Sequence, residues 1–156
     1  MKINSFVTVL LFFFVLSTSL SAGPIAVFDS YARSTGPLAK AGAAYMKIVN
    51  HSKQDDRLLS VYSDIAKKTE LHTHMKSDNG IMKMMRIDDG IKIGSRKEHA
   101  LVRGGEHIMF MGLKEPFEHG KIIPITLFFE KAGEFSIEIV VDQKRKEKKH
   151  SHSHTH

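Results

Sequence analysis

The stretch GGEHIMFMGLKEPF, Gly104 to Phe117, decides how this chain folds, because its middle reads as an extended strand with two different faces. Side chains alternate along a strand, so His107 and Met109 lie on one face. Ile108 and Phe110 lie on the other face, which is apolar and typical of a protein core. An imidazole and a thioether are unusual choices for the opposite face, where polar or β-branched residues are ordinary, and they indicate a ligand.

Short apolar segments of this kind recur along the chain between turn-prone residues. No segment between residues 23 and 142 has a long helical period. Regularly spaced short strands predict an all-β sandwich or barrel. The predicted strands cover residues 25–28, 41–50, 58–63, 69–74, 91–93, 100–103, 107–111, 122–130 and 135–140.

The N-terminus has the pattern of an export signal. Lys2 precedes an apolar run from Phe6 to Leu16, and small polar residues follow it up to Ala22. This run is shorter than the roughly 20 apolar residues that a membrane-spanning helix needs. We therefore expect a signal peptide over residues 1–22, cleaved after Ala22, and a periplasmic or secreted mature protein.

The C-terminus differs sharply in composition from the rest of the chain. Residues 143–156, QKRKEKKHSHSHTH, contain no apolar side chain and are predicted to be a disordered tail. Residues 23–142 then form one domain, which is long enough for a single core. Most of the formal net charge of +6 lies in the tail. The nearly neutral body therefore offers no basic surface for nucleic acid.

The sequence has no Cys, which excludes disulfides, thiolate catalysis, Cys-ligated zinc and a blue-copper centre. Met sulfur is then the soft donor that remains. Six of the eight Met residues lie between Met75 and Met111, in three segments that read ELHTHM, IMKMMR and HIMFM. Two of these segments also carry His. Thioethers favour Cu(I) over hard cations, so the combination predicts a copper site of imidazole and thioether donors.

These segments resemble the periplasmic copper chaperone family called PCuAC. The resemblance covers roughly residues 41–141, and it is strongest in ELHTH, SDNGIMKMMR, GGEHIMFMGLKEPF and the strand Ile125–Glu130. The family pattern is a His or Met, ten residues, a Met, twenty-one residues and then His-x-Met. His107 and Met109 match its last element. The resemblance implies a cupredoxin-like Greek-key β-sandwich with copper held near one end.

Two assignments fit the first two elements of the family pattern. His74 and Met85 reproduce both family spacings, whereas the flanking residues favour His72 and Met84. The second assignment needs one extra residue in the loop from Met75 to Gly80. We prefer it, because loops accept insertions more readily than strand registers shift. The predicted Cu(I) ligands are thus His72, Met84, His107 and Met109, with His74 and Met85 as alternatives.

The tail carries a second metal-binding pattern. Four histidines alternate there with Ser and Thr, and His-rich tracts of this kind commonly bind metal. Neutral imidazoles suit Cu(II). We therefore predict a second site, for Cu(II), formed by His150, His152, His154 and His156.

The resemblance implies a Cu(I) metallochaperone that is not an enzyme. It delivers copper to a copper centre of a cytochrome oxidase subunit, with a Sco-type protein as a further partner. We expect a monomer. Three alternatives remain: a copper buffer without a dedicated acceptor, a copper-dependent oxidoreductase, and a structural domain that uses Met only for packing. A His-brace oxygenase requires an N-terminal His, whereas the expected mature chain begins at Gly23.

Overall fold

The computed structural model describes residues 23–76 and 80–146. These residues form ten β-strands, and none of them lies in a helix, as predicted for an all-β domain. Consequently, the described part contains no helix with the length and apolar character needed to cross a membrane. The strands are β1 (Ile25–Ser34), β2 (Ala41–Asn50), β3 (Asp56–Tyr62), β4 (Ala66–Lys76), β5 (Met82–Arg86), β6 (Ile91–Ile93), β7 (Glu98–Leu101), β8 (His107–Leu113), β9 (Ile122–Phe129) and β10 (Gly133–Val141).

Two predicted segments fall largely outside this description. The predicted signal peptide, residues 1–22, lies wholly outside the described residues, and so does the predicted tail from residue 147 onward. The ten strands lie within the predicted domain of residues 23–142.

The strands follow one continuous hydrogen-bonded path. Its order is β5-β4-β8-β2-β1-β10-β9-β3-β6, and β7 pairs with β2. Among the described strands, β1 and β10 run parallel and the other pairs are antiparallel. On the same side of β2, residues 41–44 pair with β8 and residues 46–49 pair with β7. β8 is therefore an interior strand with β4 on one side and β2 on the other.

One hydrophobic core holds the strands together. The strands contribute apolar side chains to it from their inward-facing positions, which alternate with outward-facing ones. On β8, Ile108 and Phe110 are fully buried in this core, as their apolar face predicts. The ring of Phe110 packs edge-on against that of Phe117, with ring centroids 5.5 Å apart. Phe117 in turn covers Gly42 so closely that a Cβ there would lie 2.6 Å from the ring. The core thus anchors the strand that carries His107 on its opposite face.

The strand predictions differ from the structure most clearly at β5. β2 has the predicted bounds, and β1 and β4 are longer than predicted. β5 is not among the predicted strands, because its segment MKMMR is identified from the sequence only as a group of donors. All five are exposed, and β5 forms by pairing with β4 at the edge of the sheet. Pairing with the preceding strand, rather than a pattern within the segment, thus decides its structure.

Candidate metal centre

Three neighbouring strands, β5, β4 and β8, bring the predicted donors to one face of the sheet. Residues that pair directly across antiparallel strands point to the same side. His72 pairs with His107, and His74 pairs with Met84. Met109 lies two residues after His107 and pairs with Glu70. This face, which we call the donor face, therefore carries His72, His74, Met84, His107 and Met109.

The register separates the two candidate methionines of β5. Met85 pairs with Thr73, whereas Met84 pairs with His74. Successive residues of a strand point to opposite faces, so Met85 lies on the side away from the other donors. The structure therefore places Met84 with the predicted ligands and Met85 apart from them.

A cavity of about 550 Å³ opens over the donor face. His74, Met84, His107 and Met109 line it. Arg33, Tyr45 and Arg103 also contribute to its wall. His72, the β4 histidine preferred from the sequence, shares the donor face but does not line this cavity.

The turn before β8 holds the His107 ring in one orientation. Gly104 has a φ of 78°, a conformation that glycine adopts without steric cost. The carbonyl oxygen of Gly105 then accepts a hydrogen bond from Nδ1 of His107 at 2.9 Å. Nδ1 thus carries the proton, and Nε2 keeps the lone pair that a metal requires.

His107 is the most deeply buried donor, with 1% of its surface exposed. Burial, together with the neighbouring imidazoles of His74 and His72, holds the pKa of His107 below its ordinary value of 6.5. Its ring lies 5.1 Å from the ring of His74, nearly parallel to it. A neutral imidazole at this position is ready to act as a metal ligand.

The two histidines of β4 each have an unsatisfied ring nitrogen. Nδ1 of His72 and Nδ1 of His74 are buried, and neither has a hydrogen-bond partner among the described residues. Nε2 of His72 lies 3.0 Å from Oε2 of Glu70. A buried polar atom without a partner is destabilising, so these two nitrogen atoms are candidate points of attachment for a metal.

Glu70 was not identified from the sequence, although it stands two residues before His72 on the same strand face. Its carboxylate also contacts Nζ of Lys68 at 2.7 Å and Nη1 of Arg86 at 3.1 Å. The hydrogen bond to His72, followed by the contact with Lys68, lowers the pKa of Glu70 below its usual 4.5. The period of two could have placed it near the site, but cross-strand pairing alone brings Arg86 beside it.

The donor set matches the chemistry of Cu(I). Within the described ranges, no group of three or more His, Cys, Asp or Glu side chains is arranged to hold a metal ion. The cavity instead combines two thioethers with two imidazoles. Thioethers bind soft Cu(I) well and bind Mg²⁺, Ca²⁺ or Mn²⁺ poorly. The residues present therefore fit a low-coordinate or tetrahedral Cu(I) ion.

The histidines of the predicted tail site, His150, His152, His154 and His156, lie outside the described residues, and that site stays a prediction. Arg145 lies over the ring of Tyr31, with 4.3 Å between its Cζ and the ring centroid. Tyr31 packs against Tyr45, which in turn lies 6.2 Å from the His107 ring.

The all-β path and the donor face together define a cupredoxin-like Greek-key β-sandwich of the PCuAC type, as the sequence predicted. The chain belongs to the LpqE-like family, described as "Putative lipoprotein LpqE-like", whose profile matches residues 25–141. A relative from Leifsonia xyli subsp. xyli, named "Putative lipoprotein Lxx21020", is 30% identical over 99 residues. That match covers 64% of this chain and 59% of the relative's length.

Solved structures show the same fold. The copper-bound PCuAC domain from PmoF2 superposes with a TM-score of 0.64 at 24% identity, over 79% of this chain and 96% of that domain. The solution structure of CuI-DR1885 from Deinococcus radiodurans gives a TM-score of 0.59 at 25% identity. That match covers 83% of this chain and 84% of DR1885. The resemblance to PCuAC domains is thus confirmed in three dimensions.

Proposed function

We propose that this protein is an exported copper chaperone that holds Cu(I) on its donor face. The observation that carries the proposal is the cross-strand register, which brings two thioethers and two imidazoles to the wall of one cavity. The copper-bound states named for the PmoF2 domain and for DR1885 support copper as the cargo.

The core ligands in this proposal are Met84, His107, Met109 and an imidazole of β4. His74 lines the cavity and is the β4 imidazole that the geometry favours, whereas flanking sequence favours His72. Met85 is left out, because it points to the other side of the sheet. The four donors bring no negative charge, so they suit the singly charged Cu(I) ion.

The site suits transfer as well as storage. Met84 is 45% exposed on an edge strand, whereas His107 is buried. Ligands of an acceptor can therefore replace Met84 while His107 and Met109 still hold the ion. By its likeness to the PCuAC family, we propose a copper centre of a cytochrome oxidase subunit as the acceptor, with a Sco-type protein as co-worker and with the chaperone acting as a monomer.

The location and the tail complete the proposal. The lipoprotein names of the family and of the Leifsonia relative support export, and residues 1–22 have the pattern of a signal peptide. The tail histidines form a separate Cu(II) site, since His-rich tracts of this kind commonly bind metal.

An anaerobic Cu(I) competition titration tests the core site. The mature chain is used with the four tail histidines changed to Gln, so that only the core can bind. We expect one Cu(I) per chain, and at least about 100-fold weaker binding in the double variant His107→Ala, Met109→Ala. Loss of a residue that only hydrogen-bonds to a metal ligand already lowers metal affinity by about 10–100-fold. Met85→Ala is the matched control. Equal affinity in all three proteins would exclude this site.

A transfer experiment separates a chaperone from a buffer. The Cu(I)-loaded protein is mixed anaerobically with an apo copper-centre domain of a cytochrome oxidase, and the copper content of each protein is measured after rapid separation at successive times. A chaperone transfers copper faster than a chelator of equal affinity does, because both partners share the ion during exchange. A rate equal to that of the chelator favours the buffer.

A further inference from the structure

Glu70 is a nearly buried carboxylate at the edge of the donor face. Its side chain is 10% exposed, and it contacts three neighbours from two strands. Lys68 and Arg86 approach Oε1, while Oε2 lies 3.0 Å from Nε2 of His72. Two cations compensate one carboxylate, so the group is held in a fixed place rather than left to rotate in solvent.

This contact determines which nitrogen of His72 carries the proton. An ionised carboxylate can only accept hydrogen bonds, so Nε2 of His72 is the donor. In the neutral ring the lone pair then lies on Nδ1, which is buried and has no partner among the described residues. His107 has the opposite arrangement, because the Gly105 carbonyl holds its Nδ1 proton and leaves Nε2 free to bind.

His72 lies beside His107 on the donor face. It pairs directly with His107 on the donor face, and the two ring centroids are 6.1 Å apart. A carboxylate that holds one ring nitrogen of a histidine while the other binds metal is a recurrent arrangement, because it orients the ring and raises its basicity. The unsatisfied Nδ1 and the held Nε2 of His72 together reproduce that arrangement.

We propose that Glu70 is a positioning residue that makes His72 a copper donor through Nδ1. This inference rests on the proposed function and adds His72, the imidazole that the flanking sequence favours, to the donors that line the cavity. His72, His107 and Met109 then form an inner set that keeps the ion, while His74 and Met84, on the edge hairpin, form an outer set that exchanges with an acceptor. The donor face carries one donor more than a four-coordinate ion needs, and that surplus permits stepwise transfer.

A double-mutant cycle tests the role of Glu70. Cu(I) affinity is measured for the mature chain with its tail histidines changed to Gln, and for that chain carrying Glu70→Gln, His72→Ala or both. We expect Glu70→Gln to weaken binding by about 10–100-fold. In the His72→Ala background the same change has no further effect, because Glu70 acts through His72. Glu98→Gln is the matched control, since Glu98 also forms an ion pair, with Lys47 at 3.3 Å, but lies on β7, which carries none of the proposed donors.

The ring nitrogens can also be observed directly in the otherwise unchanged protein. Cu(I) is diamagnetic, so ¹⁵N-labelled histidine reports by NMR which nitrogen shifts on loading. We expect Nδ1 of His72 and Nε2 of His107 to shift, and the His72 shift to disappear in Glu70→Gln. If Glu70 only stabilises the fold, Nδ1 of His72 should still shift on loading in Glu70→Gln, as it does in the wild type.

The two proposals fail in different ways. Wild-type affinity in His72→Ala, or an unshifted Nδ1 of His72, overturns the inference while the loss of binding in His107→Ala, Met109→Ala still supports the core site. Full affinity in that double variant overturns the proposed function itself. If Glu70→Gln does not fold, the NMR measurement on the unsubstituted donor face decides the question.

Discussion

β8 and β5 both place proposed copper donors on the same face of the sheet, but only β8 lies inside it. β8 pairs with β4 on one side and with β2 on the other, and its His107 is 1% exposed. β5 is the edge strand, and all five of its residues are exposed. The position of a strand in the sheet therefore decides whether its donors are held rigidly or remain accessible.

This difference assigns different tasks to the two halves of the site. A buried donor whose ring is held by the Gly105 carbonyl can keep a metal ion, since little conformational freedom is lost on binding. An exposed Met on an edge strand can give way to a ligand of another protein. Holding and release are thus separated in space, and each can be changed independently.

The largest difference between the two strands is expected in their contribution to folding. Phe110→Ala on β8 removes a fully buried ring and should lower the free energy of unfolding by about 3–5 kcal/mol. Met85→Ala on β5 removes a side chain that is 47% exposed and should change it by less than about 0.5 kcal/mol. Urea unfolding of the metal-free protein measures both. Similar losses would mean that β5 is part of the core after all.

A smaller effect is expected within β5, where the register alone distinguishes two adjacent methionines. Met84→Ala should accelerate the release of Cu(I) to a chelator by about 10-fold, the lower end of the range for groups that support a metal. Met85→Ala should leave the rate within about twofold, because its side chain lies on the other face. Stopped-flow release kinetics compare the two variants. Equal acceleration by both would show that β5 is paired in another register when copper is bound.

The smallest effect is expected from the titration of His107. Its pKa is lowered in the folded protein, so as the pH falls below 6.5 the unfolded chain takes up a proton first and unfolding becomes more favourable. The free energy of unfolding should therefore decrease with falling pH, by at most about 1.4 kcal/mol per pH unit for one group. At higher pH this contribution is constant.

Denaturant unfolding of the metal-free wild type and of His107→Gln, at about pH 7.5 and about pH 5.5, measures this contribution. The wild type should lose more stability than the variant between the two pH values, and the exposed control His51→Gln should behave as the wild type does. Keeping the pH above 5 avoids the carboxylate of Glu70, whose lowered pKa makes its own contribution disappear only below 4.5. Equal pH dependence in wild type and His107→Gln would assign the effect to other groups.

Much of the site could be predicted from local pattern. The period of two predicted that His107 and Met109 lie on the face opposite Ile108 and Phe110. The structure shows this arrangement, because alternation is a property of any extended strand. The absence of Cys and the cluster of Met indicated the type of metal before any fold was known. The spacing in the family pattern related three segments, around His72, Met84 and His107, to one site.

The choice between neighbouring candidates could not be made in this way. His72 and His74 share one face of β4, so alternation cannot separate them. Met85 fits the family spacing and Met84 fits the flanking residues, so the sequence pattern does not choose between them either. Glu70 was missed although it shares a strand face with His72, two residues away. Tyr45 was missed because it lies on β2 and meets the His107 ring only through the tertiary structure.

The sequence by itself therefore determined the all-β class, the two faces of β8 and the soft-metal character of the donors, because each follows from residue type and a local period. The tertiary structure decided which donors meet. It paired His74 with Met84, turned Met85 away and brought Arg86 to Glu70. The physical reason is that strand register is set by hydrogen bonds and packing between paired strands, and a shift of one residue moves every side chain to the other face.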